Sequence, residues 1–157
     1  MKGMVHKMLL VAGASLLAAG AVAGQPEIPA KPADIDIDVA PGTVAPGGQV
    51  EVTVTLDPIE GVKINRYPKI KLEVPAREGL VLANQAAMGS STPPPPEKLL
   101  ENYFEQVDPL KLTLTLDESA PAGRHELDGK LTYNYCVPAK GFCVPARVPV
   151  KIPVTVR

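Results

Sequence analysis

The sequence predicts an all-β chain folded as an antiparallel sandwich, and three observations predict it. Apolar and polar residues alternate with a period of two in segment after segment. Proline- and glycine-containing turns punctuate those segments at short intervals, and helical spacing is almost absent. Strict alternation buries one row of side chains and leaves the other wet, as in antiparallel sheets packed on one face. Roughly seven to nine short strands separated by such turns make the expected fold an immunoglobulin-like antiparallel β-sandwich.

The segments follow in order. Ile35 to Val39 alternates without a break, and Val50 to Leu56 does so after a Pro46-Gly47-Gly48 turn. Val62 to Asn65 and Ile70 to Val74 continue the pattern, interrupted by Arg66-Tyr67-Pro68. Leu80 to Leu82 is a shorter apolar run, and Asn84 to Pro96 breaks the rhythm, ending in the consecutive prolines Pro93 to Pro96. Such a run lacks backbone donors and favours polyproline II, so it cannot sit inside a sheet. Glu97 to Gln106 reads as a helical turn or two, with proline just ahead and Leu99, Leu100, Tyr103 and Phe104 at helical spacing. Leu110 to Leu116 returns to alternation, Asp117 to Arg124 is a turn region, and Glu126 to Cys136 and Arg147 to Val156 are the last two strands. Pro149 and Pro153 sit four apart in the final strand, so their missing N–H groups point the same way. That predicts an edge strand.

The amino terminus sets the compartment. Lys2, His6 and Lys7 precede the apolar run Met8 to Gly20, and Ala21-Val22-Ala23 supplies the small residues a signal peptidase reads. The expectation is a secretory signal peptide over 1–23, an extended lead-in over 24–33 carrying three prolines between Gln25 and Ala33, and one domain over 34–157. The basic, apolar and small-residue order favours a cleaved signal over a membrane anchor, so no membrane insertion is expected once it is removed. Losing Lys2 and Lys7 takes the net charge from −1 to −3. The basic residues are scattered rather than gathered with aromatics, which argues against nucleic acid as a partner. With no tryptophan in the chain, the core must be built from Val, Leu, Ile and Ala.

The two cysteines, Cys136 and Cys143, are the candidate site. Seven residue steps would span about 23 Å if extended, whereas bridged Cα atoms lie within about 7 Å. A bond therefore needs the chain to fold back between them, and Pro138 and Gly141 provide the means. The expected bridge lies across a hairpin joining the last two strands. Spacing alone leaves its role open. Secreted domains often carry one structural disulfide, yet a loop of about eight residues gains only roughly 2.5 kcal/mol, against about 4.7 for a hundred-residue loop. A short bridge near a loop is also open to an attacking thiolate.

The stretch Leu131 to Pro145 resembles the cysteine hairpin of the amino-terminal periplasmic domain of the DsbD thiol:disulfide interchange family. Tyr133 before the first cysteine, Phe142 before the second and Pro145 after it fill the places that family shows. Gly61 to Asn65 resembles its strand start, and Ala120 to Gly123 its turn before the cysteine-bearing strand. The hairpin is one residue longer than in the best-known members. The resemblance implies an immunoglobulin-like fold in the periplasm whose Cys136/Cys143 pair cycles between dithiol and disulfide. It implies electrons received from a thioredoxin-like or membrane thiol-disulfide oxidoreductase on a separate polypeptide and passed to periplasmic partners. By the same analogy Cys143 holds the mixed disulfide with partners. The family's cap loop corresponds to roughly Met88 to Pro96, which contains no aromatic residue here, so Ser90 to Pro96 is expected to lie over the hairpin as a stiff lid.

Other chemistry is sparse. His125 is the sole histidine of the mature chain and is expected on a solvated turn, so no histidine-based metal cluster or catalytic triad can be assembled. Two thiolates fall short of the four ligands of structural zinc, although a two-coordinate Cu(I) stays conceivable. Asp34, Asp36 and Asp38 alternate with Ile35 and Ile37 and read as the wet face of a strand rather than a calcium site. Tyr133 and Tyr135 share a face, with packing favoured over screening of the disulfide. No cofactor is expected. Together these features make a periplasmic thiol-disulfide relay the expected function. Its rivals are a non-catalytic binding sandwich with a permanent structural bridge and a copper-handling accessory.

Overall fold

The structure is a computed structural model and describes residues 27–99 and 101–157. The expected signal peptide over 1–23 and the first residues of the lead-in lie outside the described residues. Eight strands follow in order: β1 (Ala33–Ala40), β2 (Gln49–Pro58), β3 (Lys63–Ile64), β4 (Ile70–Val74), β5 (Asn84–Met88), β6 (Leu110–Thr115), β7 (Gly123–Val137) and β8 (Phe142–Val156). They form two antiparallel sheets. One has the order β1-β2-β6; in the other β7 is central, with β8 along one edge and β3, then β4 and β5, on the other.

This order is that of an immunoglobulin-like sandwich. In immunoglobulin terms β1, β2 and β6 are strands A, B and E, and β8, β7 and β5 are G, F and C′. Strand C is split into β3 and β4. The first strand changes sheets as the fold requires: β1 pairs with β2, and Val44 beyond it pairs in parallel with Val156 at the end of β8. Where a D strand would run, the described residues from Gly89 to Pro109 are irregular apart from one tight turn at Pro96–Lys98.

Alternation explains the sheets. In β2, Val50, Val52, Val54 and Leu56 are buried while Glu51 stays exposed, and in β6 Leu110, Leu112 and Leu114 do the same against Lys111 and Thr113. Facing them are Leu72, Leu127, Leu131 and Ile152 from the other sheet, all essentially fully buried. Each such side chain contributes about 1.5–3 kcal/mol by leaving water, so the aliphatic core stands in for the tryptophan this fold often uses. Tyr133 is the largest fully buried side chain. It lies against Tyr135 with ring centroids 6.5 Å apart, in the packing role expected of the pair.

Several expectations need correction. Glu97 to Gln106 is not a helix: among the described residues only the turn at Pro96–Lys98 forms, and backbone bonds instead tie this segment to β3 and the residues just after it (Phe104 N–H to Ile64 O, 2.9 Å; Arg66 N–H to Asn102 O, 2.9 Å). A segment of this length is too short to hold a helix against such pairing. Asn84 to Met88, read as broken rhythm, is β5 paired along the whole of β4. His125 lies within β7 rather than on a turn, half-buried, with Nε2 2.7 Å from Pro121 O. The last two strands are also longer than expected, reaching Val137 and starting at Phe142.

Candidate functional site

β7 and β8 run side by side from Gly123↔Val156 to Val137↔Phe142, which sets Cys136 directly opposite Cys143. The turn between them is one tight loop at Pro138–Lys140 closed by Gly141, which adopts the left-handed conformation (φ 68°) that glycine accommodates without strain. Gly141 N–H donates to Val137 O at 3.0 Å. The fold-back demanded by the spacing is therefore met, and Cys136 and Cys143 are joined by a disulfide with Cα atoms 3.9 Å apart.

The two sulfurs live in different surroundings. Cys136 is completely buried, whereas Cys143 is partly exposed. Burial of Cys136 comes from the outer face of the sheet. Its neighbours Tyr135 and Val137 point into or toward the core, while Cys136 shares the opposite face with Lys63, its partner across β3. Asn65 continues that row, with its backbone N–H donating to Asn134 O at 2.8 Å. Its side chain turns onto the bridge and brings Oδ1 to 3.0 Å from Cys136 Sγ. Asn65 is the one buried polar residue among those described.

A bulge shapes the approach to Cys143. Seven steps from Ile64 to Lys71 oppose three from Tyr135 to Thr132, so four residues are extruded from the edge between β3 and β4. They are the interrupting Arg66-Tyr67-Pro68 of the sequence, with Lys69. The root of the proline segment is pinned to this bulge at Gly89 (φ 114°), where an added Cβ would sit 2.4 Å from Arg66 O. Ser90 N–H donates to that same carbonyl at 2.6 Å. Between the bulge and the far end of the proline run lies an open groove of about 600 Å³, walled by Tyr67, Pro68, Pro96 and Leu99, that ends on Cys143. Asn65 and Asn134 line it too, whereas Cys136 does not.

The expected lid is thus a wall. Pro96 borders the groove, but Pro93 to Pro95 are not among its lining residues. The aromatics absent from the proline segment come a few residues later. Tyr103 bridges Asn65, and Lys63 Nζ and Arg66 lie over the rings of Tyr103 and Phe104 at 5.6 and 5.4 Å. Tyr103 and Phe104 were visible in the sequence only as members of an expected helix, so their place beside the cysteine-bearing strand was missed, as was Asn65's place on the sulfur.

The remaining candidates stay apart. Asp34, Asp36 and Asp38 are exposed along β1, as a strand's wet face requires. No group of His, Cys, Asp and Glu among the described residues could hold a metal ion. No helix among them is long and apolar enough to cross a membrane. Burial pushes the phenols of Tyr133 and Tyr135 up from their ordinary value, and for Tyr133 the neighbouring Tyr135 adds to it.

No family model matches the chain, and no curated protein does. Among solved structures, one of murine CRIg is similar with a TM-score of 0.36 and 12% identity, over 79% of this chain and 98% of that one. The fold assignment rests on the strand order and sheet pairing, without that likeness.

Proposed function

We propose that this domain is a periplasmic thiol-disulfide relay working through Cys136 and Cys143. The observation that carries the reading is the unequal exposure of the sulfurs: one is shut away and the other ends an open groove. A partner thiolate entering the groove reaches Cys143 Sγ. A new S–S bond forms there, the bond to Cys136 breaks, and its electron pair leaves on Cys136 Sγ. A second thiolate of the partner then attacks its own sulfur in the mixed disulfide, releasing Cys143. The partner leaves oxidised to a disulfide, and the domain keeps two electrons as a dithiol. The same steps in reverse reduce a second partner's disulfide. The hairpin's likeness to the DsbD amino-terminal domain supports a thioredoxin-like donor, and Leu99, exposed on the groove wall, offers it an apolar contact.

The rival is a binding sandwich with a permanently closed bridge, and the complete burial of Cys136 is the observation in its favour. Reduction potential separates the two. A relay equilibrates with exchange proteins at about −180 to −270 mV, whereas a structural bridge lies below about −300 mV. In the native host, Cys136→Ser should accumulate a mixed disulfide between Cys143 and a defined thioredoxin-like protein, visible on non-reducing gels. Cys143→Ser, which leaves only the buried sulfur, should trap far less. A bridge that stays closed against thioredoxin, with no defined adduct from either variant, would sink the relay.

A further inference from the structure

We propose that Asn65 is the positioning residue for the leaving sulfur: its side-chain amide receives Cys136 Sγ when the bridge opens. This rests on the relay reading only for its purpose, because opening the bridge by any thiol makes the same demand. When a thiolate adds to Cys143 Sγ, the S–S bond breaks and the electron pair is left on Cys136 Sγ. That atom is fully buried, and an isolated buried anion is strongly disfavoured unless a donor meets it. Asn65 is the polar side chain in contact with it, at 3.0 Å.

The chemistry of the contact changes with redox state. In the disulfide, Cys136 Sγ carries no proton, so the contact with Oδ1 shares no hydrogen. After reduction the thiol S–H donates to Oδ1. A half-turn of the amide about its last side-chain bond brings an Nδ2 hydrogen to the thiolate instead. One carboxamide thus serves both protonation states, since it carries an acceptor and a donor on the same short stem. Asn65 is also held firmly enough to do so. Its backbone donates to Asn134 on β7 and it bridges Tyr103 on its other side.

Charges on the surrounding elements do not replace it. From β3, Lys63 directs its ammonium over the ring of Tyr103, and Arg66 in the bulge lies over Phe104. From the hairpin turn, Lys140 donates to Glu27 O at 3.0 Å. Glu97, Lys98, Glu101 and Glu105 on the irregular segment are all exposed. These groups bias the neighbourhood of the sulfur, but among the described residues only Asn65 makes a polar side-chain contact with it.

The test uses the mature chain with Asn65→Leu and Asn65→Asp. Leucine fills the buried site without a donor, and aspartate keeps the shape but sets a carboxylate against the thiolate. In the Cys143→Ser background, where Cys136 is the sole thiol, its titration is followed by thiolate absorbance. Either substitution should move that titration upward by about one pH unit or more. In the protein with both cysteines, reduction by dithiothreitol should slow about ten- to a hundred-fold for both variants. A residue that merely fills space would leave both readouts alone, because leucine packs at least as well. Unchanged titration and unchanged reduction rate would overturn the assignment while leaving the relay intact. Should Asn65→Leu fail to fold, Asn65→Asp decides by the same two measurements. If the variants shift the titration but the bridge poises below about −300 mV and captures no partner, the relay falls and the role of Asn65 stands.

Discussion

The hydroxyl of Tyr133 is buried without a hydrogen-bond partner among the described residues. A hydroxyl in that position costs about 1–3 kcal/mol relative to one that is paired or hydrated. The ring itself is the largest fully buried side chain of the core and cannot be spared. Tyr133→Phe keeps the ring and removes the orphan oxygen, so stability should be unchanged or rise by up to about 1–3 kcal/mol in urea unfolding. A loss above about 1 kcal/mol would mean that the hydroxyl is bonded after all. Gly89 works the other way: absence of a side chain is its function. The approach of Arg66 O leaves no room for a Cβ, and φ is in the region that other residues avoid. That position ties the root of the irregular segment to the bulge, and the bond from Arg66 N–H to Asn102 O ties it again further on.

At the scale of elements, the β7–β8 hairpin holds its own ends together before any bridge forms. Fifteen residues of each strand are paired in unbroken register, with Cys136 and Cys143 one pair from the tip. The bridge closes a loop of about eight residues and so removes little entropy from the unfolded chain, roughly 2.5 kcal/mol. Replacing both cysteines with serine should therefore cost no more than about 2–3 kcal/mol and leave the sandwich folded, with the hydroxyl at 136 within reach of the Asn65 amide. Loss of the folded dichroism spectrum at room temperature would show that the bridge carries the fold. The hairpin was legible because its signals are local: alternation, Pro138, Gly141 and a pair of cysteines. β5 was not, because Asn84-Gln85-Ala86-Ala87-Met88 has no strong alternation and is recruited by pairing with β4, a contact between segments that periodicity does not see. The expected helix over 97–106 failed for the same reason in reverse, since the bonds from Phe104 N–H to Ile64 O and from Arg66 N–H to Asn102 O outweigh a weak local preference.

Across the whole molecule, the sandwich has two seams, and they are sealed differently. On one side the far edge of β6 meets the chain leading into β5, with Leu82 N–H on Thr115 O at 3.2 Å and Asn84 Nδ2 on Thr113 O at 2.6 Å. On the other side the outer edge of β8 makes its backbone bonds, among the described residues, at its end, where Val44 N–H reaches Thr155 O and Arg157 N–H reaches Val44 O. Those two bonds fix which residues of β8 turn their backbone groups away from β7. Pro145, Pro149 and Pro153 lie an even number of steps from Thr155, so each stands where an outward N–H would be. The sequence showed this edge through Pro149 and Pro153 alone, because the penalty for proline in a ladder is local and one-sided. An edge of fifteen residues with all its donors would be a template for pairing with another copy. Prolines at every fourth residue prevent that without disturbing β7, which loses no bond. Pro149→Thr with Pro153→Thr restores two outward donors on either side of Lys151 and keeps the residues exposed. The double variant should fold with its hairpin intact but self-associate as concentration rises, giving a larger sedimentation coefficient or increased light scattering at concentrations where the parent stays unchanged. Identical sedimentation of variant and parent would mean that the prolines do not guard this edge, and that Val44 and the exposed Arg147 and Lys151 suffice to keep it closed.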